Sequence, residues 1–169
     1  KKEINSALEI ITDLKSYIIT EDLVDVLIAE SFVYESMKDF DKMYDCLAKA
    51  VKIDSNNVEA MERIWISAEL SRRYTDSVKL HLEIIDKDPY NYQAWYNLGH
   101  GYNCIYEYEK AVEALEYSFI INENFESGYL DCADTCVQIG NFRKALEIYL
   151  EANGKFGLNS ELMINIANC

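Results

Sequence analysis

YQAWYNLGHGYNCIYEYEKAVEALEYSFIINENF, residues 92–125, is followed by ESGYLDCADTCVQIGNFRKALEIYLEANGKFGLN, residues 126–159, and the two align without a gap at a spacing of 34. The same spacing extends backward to 58–91 and 24–57 and forward into 160–169. Fixed self-similarity of this length marks a chain built of stacked supersecondary units.

The columns of this alignment carry the chemistry of packing. One column of large residues is Leu27, Met61, Trp95, Tyr129 and Met163. Three residues on stand Glu30, Ile64, Leu98, Cys132 and Ile166, and then the mostly small Ser31, Trp65, Gly99, Ala133 and Ala167. Tyr34, Ala68, Tyr102 and Cys136 complete an i, i+3, i+4, i+7 set, which is one face of a helix. An aromatic column follows: Phe40, Tyr74, Tyr108 and Phe142. After it, Met43, Ser77, Ala111 and Ala145 begin the face of a second helix. That face continues through Leu47, His81, Leu115 and Tyr149 to Ala50, Ile84, Ser118 and Ala152. Polar turns at Lys38-Asp39, Arg72-Arg73, Glu107 and Gly140-Asn141 separate the helices of a unit. Asp54 to Asn57, Asp88 to Asn91 and Asn122 to Asn124 separate the units, with residue types that stop one helix and start the next. Small residues let the paired helices approach, Gly99 facing Ala111 and Ala133 facing Ala145. One hairpin cannot bury its own apolar face, but a stack buries a continuous core.

Composition agrees. One proline and six glycines are too few for a β-rich chain of 169 residues, so the expected class is all-α. The net charge of -14 repels a phosphate backbone, which argues against nucleic acid and favours basic or neutral protein segments as partners. The five cysteines, Cys46, Cys104, Cys132, Cys136 and Cys169, are odd in number and lack a short loop-rich frame. A reducing, cytoplasmic compartment is therefore expected. No apolar stretch is long enough to cross a bilayer, and no membrane partner is expected.

These columns resemble the tetratricopeptide repeat, and residues 92–125 carry the pattern most fully in Trp95, Leu98, Gly99, Tyr102, Tyr108, Ala111 and Leu115, with Pro89 before them. The resemblance implies a right-handed α-solenoid of antiparallel helix pairs. It also implies a concave groove, lined by each first helix, that binds peptides or proteins. Complete units are expected at 24–57, 58–91, 92–125 and 126–159. Residues 3–19 read as the second helix of a partial unit, with Ala7, Ile11 and Leu14 inward and a longer loop near Thr20–Asp22. Residues 160–169 read as the first helix of another, so the chain reads as a fragment of a longer array whose exposed terminal helices would allow self-association. Three departures stand out. Trp65 and Ser77 break the small-residue contact of their hairpin, which must be spread or have its indole pushed aside. His81 replaces an apolar residue, and the last turn, Lys155 to Asn159, lacks Asp-Pro.

No nucleophile–base–acid set and no glycine-rich phosphate loop is present, so catalysis and cofactors are not expected. His81 reads as a core histidine. Cys132 and Cys136 lack a second pair at ligand spacing and read as core thiols, with no metal. The groove implied by the resemblance takes the first-helix residues outside the packing columns. These are Glu62, Arg63, Ile66 and Glu69; Tyr96, Asn97, His100 and Asn103; and Leu130, Asp131, Asp134 and Gln138. Asn97 and Asn103 would bond a peptide backbone, and the carboxylates would attract lysine or arginine. The family's carboxylate clamp is disfavoured, because Glu62, Asp131 and Asp134 stand where cations would be needed. The resulting expectation is a non-catalytic scaffold holding a peptide or protein segment in an acidic groove. The alternative is a structural or regulatory segment of a larger protein, making self-association or intramolecular contacts.

Overall fold

The computed structural model describes residues 2–17, 20–157, 164 and 166. Among them lie α1 (Lys2–Tyr17), α2 (Thr20–Met37), α3 (Phe40–Ile53), α4 (Val58–Ser71), α5 (Tyr74–Lys87), α6 (Tyr92–Cys104), α7 (Tyr108–Ile121), α8 (Glu126–Gln138) and α9 (Phe142–Phe156), and no strand. Two compact units divide inside α5, Lys1–Leu80 and His81–Cys169. In the first, α2 pairs with α3, and α3 packs on α4; in the second, α6 pairs with α7, α7 packs on α8, and α8 pairs with α9.

Each hairpin turns on the same backbone device. Lys38, Arg72, Tyr106 and Gly140, spaced by the repeat, have φ of 59°, 58°, 65° and 77°. In each, the left-handed residue bonds back three positions and the next residue bonds back five. Arg72 donates to the Glu69 carbonyl and Arg73 to that of Ala68; Gly140 donates to Val137 and Asn141 to Cys136. This pairing satisfies carbonyls that a helix end leaves open. Only Gly140 adopts the conformation without steric cost.

The helix starts and stops follow the polar turns. Asn57 and Asn91 accept from the Ala60 and Ala94 amides, capping α4 and α6. Asp39 and Asn141 cap α3 and α9 in the same way. Asp54, Asp88 and Asn122 each accept from the amide two residues on, forming the same turn three times. Position 156 holds Phe in place of Asp or Asn, and there α9 runs on to Phe156.

The core follows the columns. In the second unit, Leu115, Cys132, Ala133, Cys136, Ala145 and Ala152 are all buried to 1% exposure or less. A Cβ on Gly99 would stand 2.5 Å from Leu115 Cγ and 3.3 Å from the Ala111 carbonyl oxygen, so the α6–α7 contact admits no side chain. The aromatic column sits at the rim, with Phe142 47% exposed. Ser77 is fully buried, whereas Trp65 keeps part of its surface in solvent.

Two expectations at the N-terminal end change. Thr20–Asp22 is helix and not loop, because α2 begins at Thr20 and runs for 18 residues. On α1, Ile11 is buried but Leu14 is 44% exposed. Lys15 turns toward α2 in its place, where it meets the buried Glu30 carboxylate. Glu30 occupies an otherwise apolar column and needs that partner, since a buried charge without one is costly. Of the half-unit expected at 160–169, only Ile164 and Ile166 lie among the described residues; both are helical, and Ile166 packs against the core of the second unit.

Replacing exposed Tyr106 by Gly should raise stability by about 1 kcal/mol, and Gly140→Ala should lower it by a similar amount. In thermal unfolding, each should move Tm by roughly 2–4 °C. A fall in Tm for Tyr106→Gly would contradict the turn assignment.

Candidate binding faces on the first helices

The first helices leave a strip of side chains unused by the core, and each unit has its own. In the first unit, the strip joins α2 and α4. Arg63 reaches back from α4 and forms an ion pair with Glu35 at 2.8 Å. Its Nε and Nη2 each donate to Ser31 Oγ at 3.3 Å, and its guanidinium lies 3.5 Å from the Phe32 ring centre. The guanidinium is planar and fits both the carboxylate and the aromatic face. The Arg63 side chain is 13% exposed, so it straps α4 to α2 and presents little surface to a partner. Around it lie exposed apolar groups, Phe32 at 46%, Ile66 at 44% and Leu70 at 45%. Glu62 and Glu69 are exposed beside them.

In the second unit, the strip joins α6 and α8. Tyr96 Oη donates to Asp131 Oδ2 at 2.5 Å, and His100 Nε2 lies 3.0 Å from the same oxygen. The Tyr96 ring stands edge-on to His100 and to Phe125, with centres 4.4 Å and 4.8 Å apart. Asn103 Nδ2 donates to Thr135 Oγ1 at 2.9 Å, and that hydroxyl donates to the Asp131 carbonyl. Exposed Asp134 accepts from the Tyr149 hydroxyl of α9. Leu130 is half-buried, and exposed Gln138 donates to the Tyr108 hydroxyl. Burial, and then the Asp131 carboxylate, push the Tyr96 phenol well up, so it stays protonated. Burial alone would raise the Asp131 carboxyl, but hydrogen bonds from His100 and Tyr96 outweigh it and the net shift is downward.

Asn97 corrects the sequence reading. It is 1% exposed and lies off the exposed strip. Its Nδ2 donates to His81 Nε2 at 3.2 Å, which requires the tautomer with the proton on Nδ1. His81 is fully buried, so the pair belongs to the core of the second unit. Asn97 is therefore not available to bond a peptide backbone. Arg63, Asn97 and Asp131 occupy one column, and each reaches back to residues of the preceding repeat. Sequence reading missed Ser31, Phe32, Glu35, Phe125 and Thr135. The repeat spacing pointed to Phe32 and Glu35, which precede Ile66 and Glu69 by one unit.

Cys46, Cys132 and Cys136 are buried and take no part in either strip. Cys132 and Cys136 are fully buried, and Cys132 donates to the Val112 carbonyl at 3.7 Å. Burial and the Glu30 carboxylate push the Cys46 thiol up to about 12, so it stays protonated against Glu30. Among the described residues, no three His, Cys, Asp or Glu lie close enough together to hold a metal.

A carboxyl with a lowered native pKa stabilises the fold above its unfolded value, and that contribution fades as pH falls through the native one. Asp131, with an ordinary value of 3.8, should contribute fully at neutral pH and lose its contribution below about pH 4. Asp131→Asn should lower Tm at pH 7 and flatten the fall in Tm on acidification. An unchanged acid limb would contradict the assignment. Asn97→Leu should cost about 1–3 kcal/mol in chemical unfolding, by removing a partner from buried His81.

Residues 24–57 match the tetratricopeptide repeat family. No curated protein matches the chain in sequence. Among solved structures, a crystal structure of MamA protein superposes with a TM-score of 0.68 at 20% identity, over 88% of this chain and 81% of that one. A second MamA crystal structure gives 0.65 at 19% identity, over 98% and 90%. MamA from residue 41 to its end, from Desulfovibrio magneticus RS-1, gives 0.60 at 14% identity, over 90% and 94%. At these identities the likeness is one of fold, an all-α helical-repeat architecture. The family match is to residues 24–57, and the same 34-residue frame runs on through 58–91, 92–125 and 126–159, so the chain is a helical-repeat array similar to the tetratricopeptide repeat.

Proposed function

We propose that this chain is a non-catalytic scaffold that holds a segment of another protein against its first-helix faces. One observation carries the reading. On α2 and α4, Phe32, Ile66 and Leu70 are each more than two-fifths exposed, although they lie on helices whose other faces are fully packed. Apolar side chains gathered on one face mark interaction sites more often than scattered ones do. Glu62 and Glu69 flank them, so the fitting segment places apolar side chains between lysines or arginines.

The second unit supports the same reading with different chemistry. Tyr96 and His100 are half-buried, held edge to face and fixed by Asp131, so they lose little freedom on meeting a partner. Tyrosine in such a setting offers contact area at low entropic cost. The net charge of -14 would speed encounter with a basic partner and make its capture salt-dependent.

The test is recovery of bound protein by immobilised wild type, Phe32→Ala/Ile66→Ala and Tyr96→Ala/His100→Ala, with melting curves confirming that each variant is folded. Loss of roughly 1–2 kcal/mol of affinity per variant is expected for anchors of this kind, tenfold or so in recovery at limiting concentration. Equal recovery by all three would remove the first-helix faces from the account.

A further inference from the structure

The strip of the first unit is rich in hydrogen-bond acceptors and has spent its donors. On α2, Asp25, Phe32 and Ser36 are exposed along one face. On α4, Glu62, Ile66, Glu69 and Leu70 are exposed at i, i+4, i+7 and i+8, which is again one face. The repeat places Phe32 beside Ile66 and Ser36 beside Leu70, and Arg63 ties the two helices together. Hydrocarbon therefore fills the middle of the strip, with carboxylates around it.

The hydroxyls of this strip are turned inward. Ser31 Oγ donates to the Ile28 carbonyl at 2.6 Å, Ser36 Oγ to that of Val33 at 2.7 Å, and Ser71 Oγ to that of Ser67 at 2.6 Å. A hydroxyl has one proton to give, so all three are spent on their own helices. Arg63 donates to Ser31 and Glu35, and its side chain is 13% exposed. The exposed polar groups that remain, Asp25, Glu62 and Glu69, are carboxylates, which only accept at neutral pH. An extended segment carries an N–H and a C=O at every residue, and burying them unpaired is costly. Its amides could meet carboxylates here, but its carbonyls would find no donor. A helix closes its backbone bonds within itself and presents only side chains.

We propose that the first-unit strip receives a basic amphipathic helix. Its apolar side chains, spaced by one turn, lie on Phe32, Ile66 and Leu70. Lysines or arginines beside them supply the donors that this face lacks and meet Glu62 and Glu69. The proposal rests on the scaffold reading and adds to it the conformation of the segment that is held.

The probe is a fluorescein-labelled peptide of about fourteen residues, with leucines at i, i+3, i+4 and i+7 spacing and lysines elsewhere. It is titrated with the whole chain and read by fluorescence anisotropy. Two further peptides change one central lysine of the polar face, to alanine or to proline. Both lose the same charge, but only proline breaks the helix. Saturable binding is expected, similar for the parent and alanine peptides and about tenfold or more weaker for the proline peptide. Glu62→Lys/Glu69→Lys and Phe32→Ala/Ile66→Ala should each weaken the parent peptide about tenfold, with melting curves showing that both variants are folded. Equal binding of the proline and alanine peptides would assign an extended segment to the strip and overturn the proposal. No binding of the parent peptide, or binding unchanged in both protein variants, would overturn it as well. The peptide comparison needs no substitution in the protein, so it stays decisive if a variant does not fold. The scaffold reading is decided separately, by recovery of bound protein on the immobilised chain, so either can fail while the other stands.

Discussion

One polar side chain per repeat, reaching back into the repeat before it, is what the described arrangement of the first helices depends on. Arg63 does this to Ser31 and Glu35, Asn97 to His81, and Asp131 to Tyr96 and His100. Apolar packing sets which helices touch, but it is non-directional and leaves their rotation loosely fixed. Hydrogen bonds and ion pairs are directional, and a buried one is costly to leave unmade. The three ties therefore fix how each first helix presents its outer strip. The strip in turn sets which side chains a partner could meet.

The architecture was legible because packing repeats and periodicity reports packing. Columns at a spacing of 34 pointed to the close contact at Gly99 and to the turns around Lys38, Arg72, Tyr106 and Gly140. Spacing reports which face a residue occupies, but not how far its side chain reaches or toward what. Arg63, Asn97 and Asp131 share a face with Ile66 and His100, so they read as equally available, yet all three are spent on neighbours. Asn97 is the sharpest case: its availability depends on His81, sixteen residues earlier on another helix, and His81 had been read only as a core residue. The buried Glu30 was equally opaque until Lys15 and Cys46 were seen around it.

The two strips differ in a way that follows one column. Phe32, Ile66, His100 and Asp134 stand at equivalent positions and pass from apolar to polar along the chain. The strip of the first unit is exposed hydrocarbon held around one guanidinium. That of the second is a fixed set of hydrogen bonds around Asp131. The first strip therefore suits the apolar side chains of a segment and the second polar or basic ones.

Amide hydrogen exchange of the chain, alone and with a captured partner segment, tests the central claim most directly. The account predicts slowed amide exchange confined to α2, α4, α6 and α8, with α3, α5, α7 and α9 unchanged. Protection concentrated on the second helices, with the first helices exchanging as before, would contradict it.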